Sequence, residues 1–403
     1  MSGPPSLAIF PWGDVIEEFL DPLGLTTDDY VNRMRGGWLF GYVAGLQAHG
    51  WRPVIVYASE RVEAPVRLTH AETGAPIWLV PGRRVERGSR PSRDAVRQWL
   101  RTPMAAFADV VRAESCEAIL VQDYEHPRFE ALSVLGRRLK LPVYATFQGG
   151  DVTLSAIERR VRGAFLRRAA GLIVASARER ERLEATYRVD PQRIHATPNP
   201  VDLDFWTAEP KAAAREALGI SADELLVFNH GRIDIHRKGL DVLLEAWRQF
   251  SRGRAGVRLV VLGSGQDHEA FAGMVAQTPA AEWLSAYVTD PPLIRRWLSA
   301  ADIYVTLSRV EGMPVAPLEA MACGLPVVAS DAHGVADIFE AGEDAGGLIV
   351  HRENPAAAAD ALSRLAADGV FRDLMGRRAR AHAGGRYSIE AVGRSLACVI
   401  KPR

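Results

Sequence analysis

Two carboxylates, Glu311 and Glu319, bracket the break GMPVAP in the stretch SRVEGMPVAPLEAMACGLPVVASD, directly after the apolar run DIYVTLS. A second stretch, FNHGRIDIHRKGLDVLLEAW, places Arg232 and Lys238 just beyond Gly231. Carboxylates accept hydrogen bonds from hydroxyls, while guanidinium and ammonium groups neutralise phosphate oxygens, so this set suits a ligand carrying both. The only lysines are Lys140, Lys211, Lys238 and Lys401 in a chain otherwise rich in arginine. A lysine beside Arg237 therefore points to a place that needs a compact point charge. Plainer readings stand beside these: Glu319 in a first helical turn is stabilised by the helix dipole, and Glu311 and the basic turn are ordinary solvated charges.

Other loops offer partial sets. Gly36 and Gly37 precede the helical run WLFGYVAGLQAHG, so backbone N–H groups at a helix start could face a pyrophosphate; a simple helix entry is the alternative. The loop after EAILVQ carries Asp123, Tyr124, Glu125 and His126, and the loop after PVYATF carries Gln148, Gly149, Gly150 and Asp151. Several phosphate devices are absent. Lys238 precedes Gly239, unlike the lysine of a P-loop, and His268 stands where a dinucleotide fingerprint beginning at Gly263 and Gly265 needs its third glycine. Asp202 and Asp204 form an acidic pair in a proline-rich segment, read as incidental and not as a metal site. Cys116, Cys323 and Cys398 show neither CxxC nor zinc-ligand spacing, which predicts reduced, metal-free cysteines.

These loops need strands to hold them. Apolar runs SLAIFPW, PVIVYA, EAILVQ, PVYATF and GLIVAS alternate with helical patterns, and the alternation restarts after ATPNPVDLDFWTAEP with ELLVFN, RLVVLGSG, AYVTD, ADIYVTLS and PVVASD. Such runs separated by helices indicate parallel sheets covered on both faces, an α/β class. The 403 residues, 48% hydrophobic and 24% charged, suffice for two cores. The expected boundaries are 1–205, 206–385 and a closing helix over 386–403 that crosses back to the first domain or stays on the second. Lysine plus arginine and aspartate plus glutamate number 49 each, so no whole-molecule field favours nucleic acid. No apolar run approaches the length of a bilayer span and no leader pattern opens the chain; a cytoplasmic protein is expected.

GRIDIHRKGLD, the turn VVLGSG, SRVEGMPVAPLEAMACGLPVVASD, PNPVD and the Gly36–Gly37 turn together resemble the retaining GT-B glycosyltransferases of family 4, and the resemblance spans nearly the whole chain. It implies two Rossmann-like domains facing across a cleft, the first receiving the acceptor and the second a nucleoside diphosphate sugar, GDP- or UDP-linked for preference. On the matching positions, Arg232 and Lys238 would hold the diphosphate, Glu311 the transferred sugar and Glu319 the ribose. Gly231 and the main chain of Gly312, Met313, Pro314 and Val315 would line the donor, with Gly36 and Gly37 beside it; Asp123, Tyr124, Gly149, Gly150 and Asp151 would lie on the acceptor side. The resemblance also implies retention of configuration, no cofactor and no metal.

The chain departs from the family at Gln148, where many relatives carry a histidine near the reacting carbon. Glutamine donates and accepts hydrogen bonds but does not titrate. Either an amide suffices to orient the sugar, or the acceptor arrives already nucleophilic, as a thiolate would. A small-molecule acceptor in a biosynthetic pathway is expected, with S-glycosylation or a lipid or polysaccharide acceptor as alternatives. An epimerase, a hydrolase or a non-catalytic sugar-nucleotide binder would use similar donor contacts. The acidic stretch GDVIEEFLDPLGLTTDDYVNR could cap a small acceptor. The arginine-rich stretches RRVERGSRPSRDAVRQWLR and IERRVRGAFLRRAA could dock on anionic lipid, although interspersed acids favour a solvated face.

Overall fold

The computed structural model describes residues 3–34, 37–85, 91–147, 156–285 and 290–403. The chain divides into two compact units, one formed by 1–198 with 389–403 and the other by 199–388.

The first unit is built on eight strands: β1 (Ser6–Phe10), β2 (Arg52–Ser59), β3 (Val66–Thr69), β4 (Pro76–Pro81), β5 (Cys116–Val121), β6 (Val143–Phe147), β7 (Gly171–Val174) and β8 (Ile194–Ala196). Their order is β3-β4-β2-β1-β5-β6-β7-β8. All neighbours pair parallel except β3 and β4. The strands β1, β2, β5 and β7 are apolar and almost wholly buried, as parallel strands with helices on both faces must be. Helices used below are α1 (Gly37–Ala48), α2 (Arg128–Leu139), α3 (Ala156–Leu166) and α4 (Ala177–Tyr187). The acidic stretch before Gly36 is folded into this core: Tyr30 is 2% exposed, its hydroxyl lies 2.9 Å from that of Tyr57, and the buried Glu17 accepts from Ser59 Oγ at 2.5 Å.

The second unit has six parallel strands, β9 (Leu225–His230), β10 (Val257–Leu262), β11 (Ala281–Leu284), β12 (Ile303–Thr306), β13 (Val327–Ser330) and β14 (Gly347–Val350), in the order β11-β10-β9-β12-β13-β14. The run AYVTD, expected to be a strand, lies outside the described residues up to Asp290; β11 is the AEWL just before it. Two helices matter to the site, α5 (Leu240–Ser251) and α6 (Ala316–Ala322). Trp247 and Leu244 of α5 are fully buried against the sheet.

The last helix, α7 (Ile389–Val399), belongs to the first unit. Its apolar spacing buries Val392 and Leu396 in the same core as α1. The helices touch through glycine: a Cβ on Gly45 would lie 2.8 Å from the Gly393 Cα, so any side chain there would push them apart.

Candidate functional site

In a doubly wound sheet the crevice opens where strand order reverses, beyond the carboxyl ends of the strands. In the second sheet that point lies between β9 and β12, and the loops following these two strands carry Arg232, Lys238 and Glu311. The structure joins two of the expected residues directly: Lys238 Nζ lies 2.6 Å from Glu311 Oε1. The Glu311 side chain is only 7% exposed and also accepts from Ser308 Oγ at 2.8 Å. Its carboxylate is thus fixed by two donors, one of them charged. Arg232 is exposed on the same β9 loop, and among the described residues its side chain makes no hydrogen bond or ion pair.

Glu319 sits in the first turn of α6, behind Pro317. His230, the last residue of β9, places Nε2 2.8 Å from Glu319 Oε2. The imidazole stacks on Phe228 at 5.6 Å and meets Tyr304 edge-on at 5.5 Å. Burial first, then the charges of Glu319 and Glu311, raise the Tyr304 phenol well above the usual range. A phenol so placed stays protonated.

Glycines let the loops approach. Gly231 has φ +147° and Gly263 φ +152°, and a Cβ on Gly263 would overlap the Gly231 carbonyl. Gly334, at φ +77°, lies in the same way against the Gly312 carbonyl. Gly265 presses on the Ile233 carbonyl, so the VVLGSG turn serves to support the Arg232 loop. Arg309 fastens the two loops together, donating to Asp241 through Nη1 at 2.7 Å and Nη2 at 2.8 Å while its own N–H reaches the Arg237 carbonyl at 2.9 Å.

The GMPV segment has its own clamp. Asn199, from the PNPVD motif, donates through Nδ2 to the Met313 carbonyl at 2.9 Å, and its N–H meets Met313 Sδ at 3.2 Å. Met313 is buried, while Gly312, Pro314 and Val315 are half-buried. Pro314, lacking an N–H, offers only its carbonyl.

In the first unit strand order reverses between β1 and β5. The loop after β5 holds Asp123 at φ +60°, its Oδ1 accepting from the Glu125 N–H at 2.9 Å. Tyr124 is completely buried and its hydroxyl donates to Glu179 of α4, so it presents no surface to solvent. Burial pushes the Glu125 carboxyl up to about 6 against the pull of Arg182, which is ion-paired with it. Burial likewise raises Asp123. Asp14, from the loop after β1, accepts from Gln98 Nε2 at 3.0 Å and lies 3.6 Å from His126 Nε2. Gly37 opens α1; Gly36, Gln148, Gly149, Gly150 and Asp151 lie outside the described residues.

Sequence reasoning did not single out His230, Asn199, Ser308 or Asp14. The first two stand inside quoted motifs, HGR and PNPVD, where their positions were the available signal. Asp202 accepts the N–H groups of Asp204 and Phe205 at 3.0 and 3.1 Å, which makes the acidic pair a turn. Burial pushes the Cys116 and Cys323 thiols up to about 12. Among the described residues, no helix is long and apolar enough to cross a membrane.

Comparison with known proteins matches residues 40–205 to the family described as Glycosyltransferase Family 4 and residues 224–368 to Glycosyl transferases group 1. A D-inositol 3-phosphate glycosyltransferase of Xylanimonas cellulosilytica is 35% identical over 237 residues, covering 56% of this chain and 54% of that protein, about half the relative's length. Another, D-inositol 3-phosphate glycosyltransferase 1 of Catenulispora acidiphila, is 28% identical over 334 residues, 79% of this chain and 78% of the relative. Among solved structures, sucrose-phosphate synthase of Thermosynechococcus elongatus superposes with a TM-score of 0.72 at 20% identity, covering 98% of each chain. The α,α-trehalose 6-phosphate synthase of Burkholderia multivorans also gives 0.72, at 15% identity over 99% of this chain and 98% of that one. The fold is GT-B, and the chain belongs to the group 1, family 4 glycosyltransferases.

Proposed function

We propose that this protein transfers a sugar from a nucleoside diphosphate sugar to a small hydroxylated acceptor, retaining anomeric configuration and using no metal. The observation that carries this reading is the meeting of Lys238 with Glu311 at the switch point of the second sheet, on the loops that also bear Arg232. Cleaving the bond between the anomeric carbon and the phosphate oxygen builds negative charge on the departing diphosphate and positive charge on the ring. Lys238 and the exposed Arg232 neutralise the former; a single well-aimed donor of this kind is worth about 3–4 kcal/mol. Glu311, fixed by Lys238 and Ser308, accepts from sugar hydroxyls. Glu319 accepts from the ribose, held at its angle by His230. The acceptor oxygen bonds the anomeric carbon on the face the phosphate leaves, and the departing phosphate oxygen takes the acceptor proton.

The names of the two relatives support a phosphorylated cyclitol, or a sugar phosphate of similar size, as acceptor class. The test is nucleoside diphosphate release from a panel of donors, with and without inositol phosphates, followed by product analysis. Acceptor-dependent release that Lys238→Ala slows at least about a hundredfold is expected, the scale of one lost transition-state donor. Release equally fast without acceptor would instead identify a hydrolase. No release from any donor, or an unaffected Lys238→Ala rate, would overturn the assignment.

A further inference from the structure

At the amino ends of β6 and β7, the edge of the first sheet away from the strand-following loops, a cleft of about 570 Å³ opens between the C-terminal turns of α2 and α3. Its apolar part includes Val134, Leu141 and Phe165, and three arginines, Arg137, Arg138 and Arg168, line it together with small residues. No acidic side chain is among the lining residues. Val134 is 36% exposed, unusual for a large aliphatic side chain on a helix that otherwise buries its apolar face. The wall beneath is tightly closed, because a Cβ on Gly136 would overlap Val143 of β6.

Cations in the last turn of α2 are stabilised by the helix dipole, and that accounts for the charge of Arg137 and Arg138 in part. It does not account for the hollow beside them or for Arg168 on a different element. Among the described residues, Arg137 and Arg138 make no hydrogen bond or ion pair with their side chains, and Arg168 spends only Nη1, on the Ala164 carbonyl at 2.8 Å. A bare phosphate would leave the apolar walls wet, and a purely apolar guest would desolvate guanidinium groups without pairing them. A guest with both parts satisfies both surfaces, and the volume falls in the range of small-molecule sites.

We propose that this cleft binds a phosphate-bearing amphiphile, its phosphate between Arg137, Arg138 and Arg168 and its apolar chain on Val134, Leu141 and Phe165. The site is separate from the sugar-transfer loops and does not depend on the reading of them. Octyl phosphate is the probe, titrated by calorimetry into the full chain, with inorganic phosphate and octanol as half-ligands. Octyl phosphate should bind at least about tenfold more tightly than either half. The double variant Arg137→Glu/Arg138→Glu, at exposed positions where the reversed charges oppose the helix dipole and so lower the melting temperature only slightly, should lose that binding while remaining folded, and Phe165→Ala should weaken it. Co-sedimentation with phosphatidylglycerol vesicles, abolished by the same double variant, would identify a lipid surface as the source of the headgroup; binding of octyl phosphate without sedimentation would identify a free amphiphile. Failure of octyl phosphate to bind at millimolar concentration, equal binding of octanol, or indifference to the charge reversal would overturn the proposal.

Discussion

His230 illustrates how one side chain positions another. Nε2 faces Glu319 at 2.8 Å while Nδ1 is enclosed with no hydrogen-bond partner among the described residues. A proton on Nδ1 would be a buried donor without an acceptor, so the network assigns the proton to Nε2, donating to the carboxylate. On the reading proposed above, Glu319 then keeps its free oxygen for ribose hydroxyls. His230→Ala should weaken nucleoside diphosphate binding by up to about 1.5–3 kcal/mol, the scale of a hydrogen bond that involves a charged group. A 2′,3′-dideoxynucleoside diphosphate should show almost no difference between variant and wild type. Equal weakening of both ligands would make His230 a general support. The sequence made Lys238 and Glu311 legible because lysine is rare and the glutamate spacing distinctive. It hid His230, because a partner 89 residues away leaves no local periodicity.

At the scale of elements, the loops after β9 and β12 depend on backbone approaches that only glycine permits. Gly334 combines a left-handed φ with a Cβ position occupied by the Gly312 carbonyl. Gly219 is also left-handed, at φ +67°, but has open space around its Cβ. Gly219→Ala should cost only the backbone strain, about 1 kcal/mol. Gly334→Ala must also move the GMPV segment, and should both lower the melting temperature further and weaken nucleotide binding. Equal effects of the two substitutions on stability and binding would contradict this account of the loops. The helix start at Pro317 and its stop at Gly324 were legible from residue type. The strands β3 and β4 were not, since VRLT is short and exposed at an edge and PIWLVP is flanked by prolines. β11 was missed for a similar reason: AEWL is half-exposed and only partly apolar.

For the molecule as a whole, equal numbers of acids and bases conceal strongly perturbed groups inside the first unit. Burial raises Glu125 from 4.5 to about 6. The folded chain therefore holds this proton more tightly than the unfolded chain. The corresponding stability is whole below the ordinary carboxylate range and is lost as pH rises through about 6, amounting to about 2 kcal/mol. Chemical denaturation of wild type and Glu125→Gln from pH 4 to 7 should show the variant gaining on wild type across that interval by up to this amount. A constant difference between them would show that Glu125 titrates normally. Alternation of apolar runs and helices made the two-sheet α/β class legible, because parallel strands must be apolar on both faces. The return of α7 to the first unit rests on Gly45 and Gly393 meeting far apart in sequence, a contact that its apolar spacing alone did not assign to either partner.

As proposed, Arg232, Lys238, Glu311 and Glu319 together hold one nucleoside diphosphate sugar. Calorimetric titration of nucleoside diphosphates into wild type, Lys238→Ala and Glu319→Ala tests it most directly. At least one nucleoside diphosphate should bind, and each substitution should weaken that binding by about 1.5–3 kcal/mol. Binding that both variants leave unchanged would contradict it.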